Sequence, residues 1–304
     1  MAESYLDPEG LSLVARMELV ARQVVEGFLS GRHPSPYHGS SVEYVDHRPY
    51  APGDEIRSID WKLWAKIDRY FVKLAKEQTN TRCTILLDTS RSMEFGSERA
   101  VTDTARPNNK FEYGCYLSAC LAYLMLRQND AVGLALFDSG LHEYLPARSK
   151  GSHFRIVLER MAAARPDNDT RIGEVMHELA RRLQSRGIVI IISDLLGDLD
   201  ALADGLAHFR HRSHEVIVFH VMDPDELNFP YERITRFRDA EGTSRMITQP
   251  RFVRARYLER LEEFLRGVKQ SCLERGASYQ FARTDYAYQQ LLLAYLEQRA
   301  RAKV

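Results

Sequence analysis

The apolar residues 83–87 run directly into Asp88-Thr89-Ser90-Arg91-Ser92. A carboxylate and two hydroxyls stand at alternate positions, so in an extended or turning loop their oxygens converge. Three chemistries use such a cluster. A hard cation such as Mg2+ or Mn2+ takes oxygen ligands in octahedral geometry and keeps some of its water. A metal-dependent phosphatase or phosphotransferase uses the aspartate as nucleophile and a second carboxylate two residues on as general acid. That second position is here Ser90, so the general acid is missing. A helix cap needs a serine hydroxyl and nothing more. Two further oxygens can join the first three: Thr170 in "PDNDTRIGE", ahead of a helical pattern, and Asp194 closing "VIIISD". A cap has no use for them. Asp169 can cap the helix after Thr170 and leave the threonine free.

Such residues need a scaffold that brings three loops together. From residue 81 strand-like and helix-like segments alternate. Strands are predicted at 83–88, 131–138, 187–194, 214–223 and 277–284 from short apolar runs. Helices are predicted at 110–128, 152–164, 171–186, 198–212, 254–275 and 287–303 from apolar spacing. Residues 141–147 can pair with 131–138 as a hairpin, and 234–249 form another around "AEG". The alternation predicts a doubly wound, mostly parallel α/β sheet flanked by helices. Ligands in such sheets bind beyond the carboxyl ends of the strands, near a topological switch point. Asp88 and Asp194 each close a predicted strand, so both belong to that edge.

The first 80 residues read differently. Residues 11–30 have helical spacing, and Gly31 acts as a stop. Residues 34–60 carry turn signals at "HPSP" and "APGD", and residues 61–80 hold both tryptophans ahead of the strand-like "RYFVKLAKE". We divide the chain into an N-terminal helix with a turn-rich β arm, 1–80, and an α/β domain, 81–304. Within the arm Pro52-Gly53 fits a turn, and Arg57 can pair with Asp54 or Asp60.

Two sets of residues carry a family resemblance. Asp88, Ser90, Ser92, Thr170 and Asp194, in that order, resemble the metal-ion-dependent adhesion site of von Willebrand factor A domains. Tyr50, Pro52-Gly53-Asp54, Arg57, Ile59-Asp60-Trp61 and Ala65, within residues 48–78, resemble a bacterial branch called domain of unknown function 58. The resemblance implies a von Willebrand factor A-like fold. It implies that the five oxygens hold Mg2+ (or Mn2+ or Ca2+) directly or through water, and that a partner's Asp or Glu completes the coordination. It also implies work beside a MoxR-type AAA+ ATPase, as an adaptor in assembly or activation of a client. Residues 98–109, "ERAVTDTARPNN", depart from the pattern by their length and polarity, and we expect a mobile loop there.

Composition narrows the functional classes. Lys+Arg and Asp+Glu are both 42, which disfavours a generic electrostatic grip on nucleic acid or an anionic membrane. Basic residues Arg57, Lys62, Lys66, Arg69 and Lys73 lie near Trp61, Trp64, Tyr70 and Phe71, but their alternation with apolar positions reads as a solvated face rather than a nucleic-acid groove. Neither a GxxxxGK[ST] phosphate loop nor a GxSxG elbow is present. Cys83, Cys115, Cys120 and Cys272 form no CxxC pair and read as reduced, mostly buried thiols of a cytoplasmic protein. The start "MAESYLDPEG" does not read as a signal peptide, and residues 116–126 are too short an apolar stretch to span a bilayer. The expected activity is therefore non-enzymatic, metal-dependent binding of a protein partner, with the Asp88 phosphatase as the alternative.

Overall fold

The computed structural model describes residues 8–29, 46–52, 59–74, 81–97, 107–238 and 245–302. Gly31, the "HPSP" turn, residues 53–58 of the arm and residues 98–106 of the polar loop lie outside the described residues, as do the expectations placed on them.

The described chain begins with α1 (Pro8–Leu29). The arm contributes β1 (Asp46–Pro49), α2 (Trp61–Ile67) and β2 (Phe71–Leu74). The larger part continues with β3 (Arg82–Asp88), α3 (Lys110–Arg127), β4 (Ala131–Phe137), β5 (Leu141–Arg148), α4 (Ser152–Ala163), α5 (Ile172–Arg182), β6 (Ile188–Ser193), α6 (Leu199–His211) and β7 (Glu215–Met222). It ends with α7 (Pro224–Asn228), β8 (Thr235–Arg238), β9 (Arg245–Thr248), α8 (Pro250–Glu274), β10 (Ser278–Arg283) and α9 (Tyr288–Ala302).

Six strands form one sheet in the order β10-β7-β6-β3-β4-β5. All neighbours are parallel except β4 and β5, which form the expected antiparallel hairpin. This is the expected doubly wound, mostly parallel sheet flanked by helices. The chain leaves β3 toward β4 on one side and returns to β6 on the other. The switch point therefore lies at the carboxyl ends of β3 and β6, where ligands bind in open α/β sheets.

Burial explains the strand composition. β3 and β6 are covered on both faces and read as unbroken apolar runs. On one face α3 is itself packed under α1, α4 and α9, which is why its sequence is apolar nearly all round. Gly114 allows the close approach of α3: a Cβ there would lie 2.8 Å from Leu87 Cδ1. The other face carries α5, α6 and α8, with Leu86, Ile191, Met176, Leu206 and Val268 among its buried side chains. All four cysteines are free and buried. Among the described residues no helix is long and apolar enough to cross a membrane.

The chain divides into two compact units, 34–80 and the remainder, so the boundary differs from 1–80/81–304. α1 packs on α3 and α4, and its Met17, Ala21 and Val25 are fully buried there. Its amphipathic face belongs to the core of the larger unit rather than to the arm. In the arm, β1 and β2 pair antiparallel. Asp60 caps α2 through the N–H groups of Lys62 and Leu63, and the Trp64 and Tyr70 rings stack at 6.0 Å. α2 and α7 have no counterpart among the helices expected from apolar spacing. α8 begins ahead of the expected Arg254, because Pro250 takes the first helical turn, where its missing N–H costs nothing.

Candidate metal centre

Leu87 pairs with Ile192 across the parallel β3–β6 ladder, so Asp88 and Ser193-Asp194 leave the sheet side by side. Asp88, Ser90, Ser92, Ser193 and Asp194 are all buried. The Asp88 carboxylate accepts the Ser90 N–H at 2.8 Å and the Ser193 hydroxyl at 2.5 Å. Ser193 in turn accepts the Leu195 N–H at 2.8 Å. Thr89 ties the loop to β4, donating its N–H and hydroxyl to the Phe137 carbonyl at 2.7 and 2.8 Å. Ser90 precedes a 3-10 turn at Arg91–Glu94, yet its side chain makes no capping bond. Its hydroxyl instead lies 3.1 Å from that of Ser92.

The Thr170 loop is fastened to the same place. Arg91 N–H donates to the Asn168 carbonyl at 3.0 Å, Asp167 N–H donates to the Thr89 carbonyl at 2.9 Å, and the Arg91 guanidinium pairs with Asp167 at 2.7 Å. Asn168 and Leu195, one in each neighbouring loop, have φ of 56° and 55°, the left-handed conformation of tight turns. Asp169 does not cap α5 as expected: the N-cap position is Arg171, with no side-chain bond. The helix starts at Ile172, three residues beyond Asp169, and the residue at its N-cap is an arginine. Thr170 Oγ1 is buried and has no hydrogen-bond partner. Its methyl carbon lies 3.7 Å from the place a Cβ at Gly197 would take, in the loop after Asp194. The structure thus brings the loops of all five predicted residues to one edge.

Three contributors went unread in the sequence: Ser193, Lys110 and Glu226. Lys110 opens α3 and is fully buried, with its ammonium 2.7 Å from both Asp194 and Glu226. The ring of Phe95 lies 5.8 Å from the same nitrogen. Asn109 caps α3 through the Glu112 N–H and so fixes where Lys110 enters the core. Glu226 is the third residue of α7, in a reciprocal capping box with Asp223. The signals were a lysine at the first turn of an otherwise apolar helix, and "DPDE" after a strand.

The charges are unevenly balanced. Burial and the neighbouring Asp194 push the Asp88 carboxyl up to about 7. Burial acts on Asp194 in the same direction, but the Lys110 ammonium outweighs it and holds Asp194 below the ordinary carboxylate range. Burial likewise opposes the charge on Lys110, and Asp194 and Glu226 more than restore it. Two buried carboxylates, three hydroxyls, one of them unpartnered, and a single fixed cation form a hard-oxygen set with residual negative charge. That chemistry fits a small divalent cation.

Over 240 residues the chain is 25% identical to Uncharacterized protein Rv1480 of Mycobacterium tuberculosis, covering 78% of this chain and 72% of that one. A solved structure of the conserved hypothetical protein BatB from Bacteroides thetaiotaomicron is similar at a TM-score of 0.49 and 21% identity, over 73% of this chain and 99% of that one. An aerotolerance-related membrane protein from Bacteroides fragilis, carrying multiple mutations to serines, is similar at 0.47 and 18% identity, over 72% and 97%. The profile of the family described as protein of unknown function DUF58 matches residues 46–263, and the chain belongs to that family.

Proposed function

We propose that this chain is a non-enzymatic, divalent-metal-dependent protein-binding module that works with a MoxR-type AAA+ ATPase in the cytoplasm. The observation that carries the metal reading is the Thr170 hydroxyl, buried without a partner at the edge where Asp88, Ser90, Ser92 and Asp194 gather. A buried polar atom left unsatisfied is costly, and a ligand removes the cost. Ser90, Ser92 and Thr170 would offer neutral oxygens, and Asp88 and Asp194 would offer charge. Lys110 occupies one oxygen of Asp194, so that carboxylate keeps a fixed orientation. A bound Mg2+ would supply a positive coordination position that a partner's Asp or Glu can fill. The ATPase partner and the cytoplasmic setting rest on the family resemblance.

Calorimetric titration with Mg2+, Mn2+ and Ca2+ tests the site. Wild type should bind at least one of them, and Asp88→Ala and Ser90→Ala should each weaken binding by about tenfold or more. Unchanged affinity in both variants would sink the metal reading. Capture of a purified MoxR-type ATPase, with and without chelator, tests the partner. Capture that chelator leaves intact separates the partnership from the metal.

A further inference from the structure

The hairpin of β8 and β9 turns its two faces to different surroundings. On one face Phe237 stacks on Phe229 at 5.3 Å between centroids and meets Tyr231 at 5.5 Å. Tyr257 of α8 also packs on Phe229, at 4.7 Å. These rings anchor the hairpin to the end of α7 and to α8. Side chains alternate along a strand, so Arg236 and its partner Ile247 point the other way, and Ile234 stands just ahead of β8. Ile234 and Ile247 are each 68% exposed, and Phe252 at the start of α8 is 71% exposed. Single exposed apolar residues are ordinary. Here three stand on consecutive elements within a basic field.

That field is local. Residues 232–256 hold seven arginines against three carboxylates, in a chain whose totals are equal at 42 each. Arg233, Arg236 and Arg251 are exposed, and none makes an ion pair among the described residues. The Arg251 guanidinium lies 4.8 Å over the Phe252 ring. β8 and β9 pair only with each other among the described strands. Each therefore has an outer edge that no described strand covers, the template on which another extended chain can pair.

We propose that this face and edge dock an extended, acidic segment of a partner protein, which adds to the hairpin as a third strand. Main-chain bonds to the edge supply affinity. Carboxylates opposite Arg233, Arg236 and Arg251, and aliphatic side chains on Ile234 and Ile247, supply selectivity. The arginine excess rejects a basic segment. The open edge favours a peptide over a lipid surface, because a lipid has no main chain to pair with it. The surface shares no residue with the five-oxygen centre, and strand pairing there needs no metal.

Fluorescence anisotropy on the full chain, in EDTA, with a labelled peptide alternating glutamate and valine, tests the proposal. Wild type should bind it. Ile234→Ser with Ile247→Ser, and separately Arg236→Glu, should each weaken binding about tenfold or more while leaving the unfolding temperature in place. The same peptide with lysine for glutamate should not bind, and an N-methylated version, unable to pair with a strand edge, should bind at least about tenfold more weakly. Failure of the acidic peptide to bind, or equal binding by the variants, the lysine peptide or the methylated peptide, overturns the proposal. So does capture by phosphatidylglycerol vesicles without peptide binding, which assigns the face to lipid. Dimerisation that the same substitutions abolish assigns it to a second copy of the chain and overturns the proposal as well.

Discussion

Four strands of the sheet meet an aspartate at their carboxyl ends, and the four differ by position. Asp223 follows β7, Asp194 follows β6, Asp88 ends β3 and Asp138 follows β4, so Asp194 and Asp88 form the inner pair. The outer pair is saturated by donors from its own and neighbouring loops. Asp138 accepts the N–H and hydroxyl of Ser139, the His142 ring and the Asn168 amide. Asp223 accepts the N–H and hydroxyl of Ser97, the Thr284 hydroxyl and the Asp225 N–H. A carboxylate has about four lone-pair sites, so each outer one is filled. Asp88 has the Ser90 N–H and the Ser193 hydroxyl, and Asp194 has Lys110 and the Leu196 N–H. The other groups against the inner pair are the Ser90 and Ser92 hydroxyls, themselves candidate ligands. The electrostatics follow the donors. Burial works to raise Asp138, but its donors hold it below the ordinary range, whereas Asp88 is pushed up to about 7. One residue type at one strand position thus fastens a loop at the flanks and keeps unused acceptor capacity at the centre.

The largest expected effect comes from removing Lys110, the one cation paired with the inner carboxylates among the described residues. Lys110→Met leaves Asp194 and Glu226 facing each other in a buried space. Breaking such a pair from one side costs about 3–5 kcal/mol. Urea unfolding in EDTA measures it, and Mg2+ should recover part of the loss. A cost below about 1 kcal/mol would erase the contrast with the neutral donors of the outer pair.

Next in size is the opposite response of Asp88 and Asp138 to neutralisation. In the fold, burial and the neighbouring Asp194 push the Asp88 carboxyl up to about 7, from an ordinary 3.8. Between those limits the folded state holds a proton that the unfolded state has released. The contribution of Asp88 to metal-free stability therefore falls as pH rises from about 4 to about 7. Asp88→Asn removes that loss. It should raise the metal-free melting temperature near about pH 8 by about 5 °C and abolish the stabilisation by Mg2+. For Asp138 the folded pKa is depressed, so its contribution is present above the unfolded pKa and lost as pH falls. Asp138→Asn should lower the melting temperature by about 2–5 °C and leave the Mg2+ response intact. The two scans, with and without Mg2+, check both signs.

The sequence displayed the acceptors of this edge better than their donors. Asp88, Ser90, Ser92, Thr170 and Asp194 stand at strand ends and loops with fixed spacing, and buried strands are plain in runs such as 188–193. Thr170 is legible as a free hydroxyl only once the start of α5 is known, and α5 starts at Ile172, one residue after the expected 171. Lys110 and Glu226 come from segments 84 and 116 residues away from their partners in the chain. A lysine in the first turn of an apolar helix hints at burial, but its partners cannot be read locally, because the two carboxylates that pair with it come from distant segments. α1 shows the same limit: its apolar stripe is legible, but the face it covers is set by α3 and α4. Short α2 and α7 escaped because a capping aspartate and tertiary contact, rather than periodicity, hold helices of 7 and 5 residues.

The smallest expected effect on stability gives the sharpest contrast, between two threonines beside the centre. The Thr89 hydroxyl donates to the Phe137 carbonyl at 2.8 Å, and the Thr170 hydroxyl has no partner. Thr89→Val should cost about 1 kcal/mol, the net worth of an ordinary hydrogen bond. Thr170→Val gives up no bond and sheds the cost of a buried unsatisfied hydroxyl, so metal-free stability should hold or rise by about 1 kcal/mol. With Mg2+ present the order reverses. Thr170→Val should lose about tenfold in Mg2+ affinity, Thr170→Ser should retain it, and Thr89→Val should bind as wild type does. Chemical unfolding in EDTA and calorimetry in Mg2+ separate the two readouts. If Thr170→Val destabilises the metal-free protein as much as Thr89→Val does, the Thr170 hydroxyl is already bonded within the protein, and the main reason to reserve it for a cation is gone.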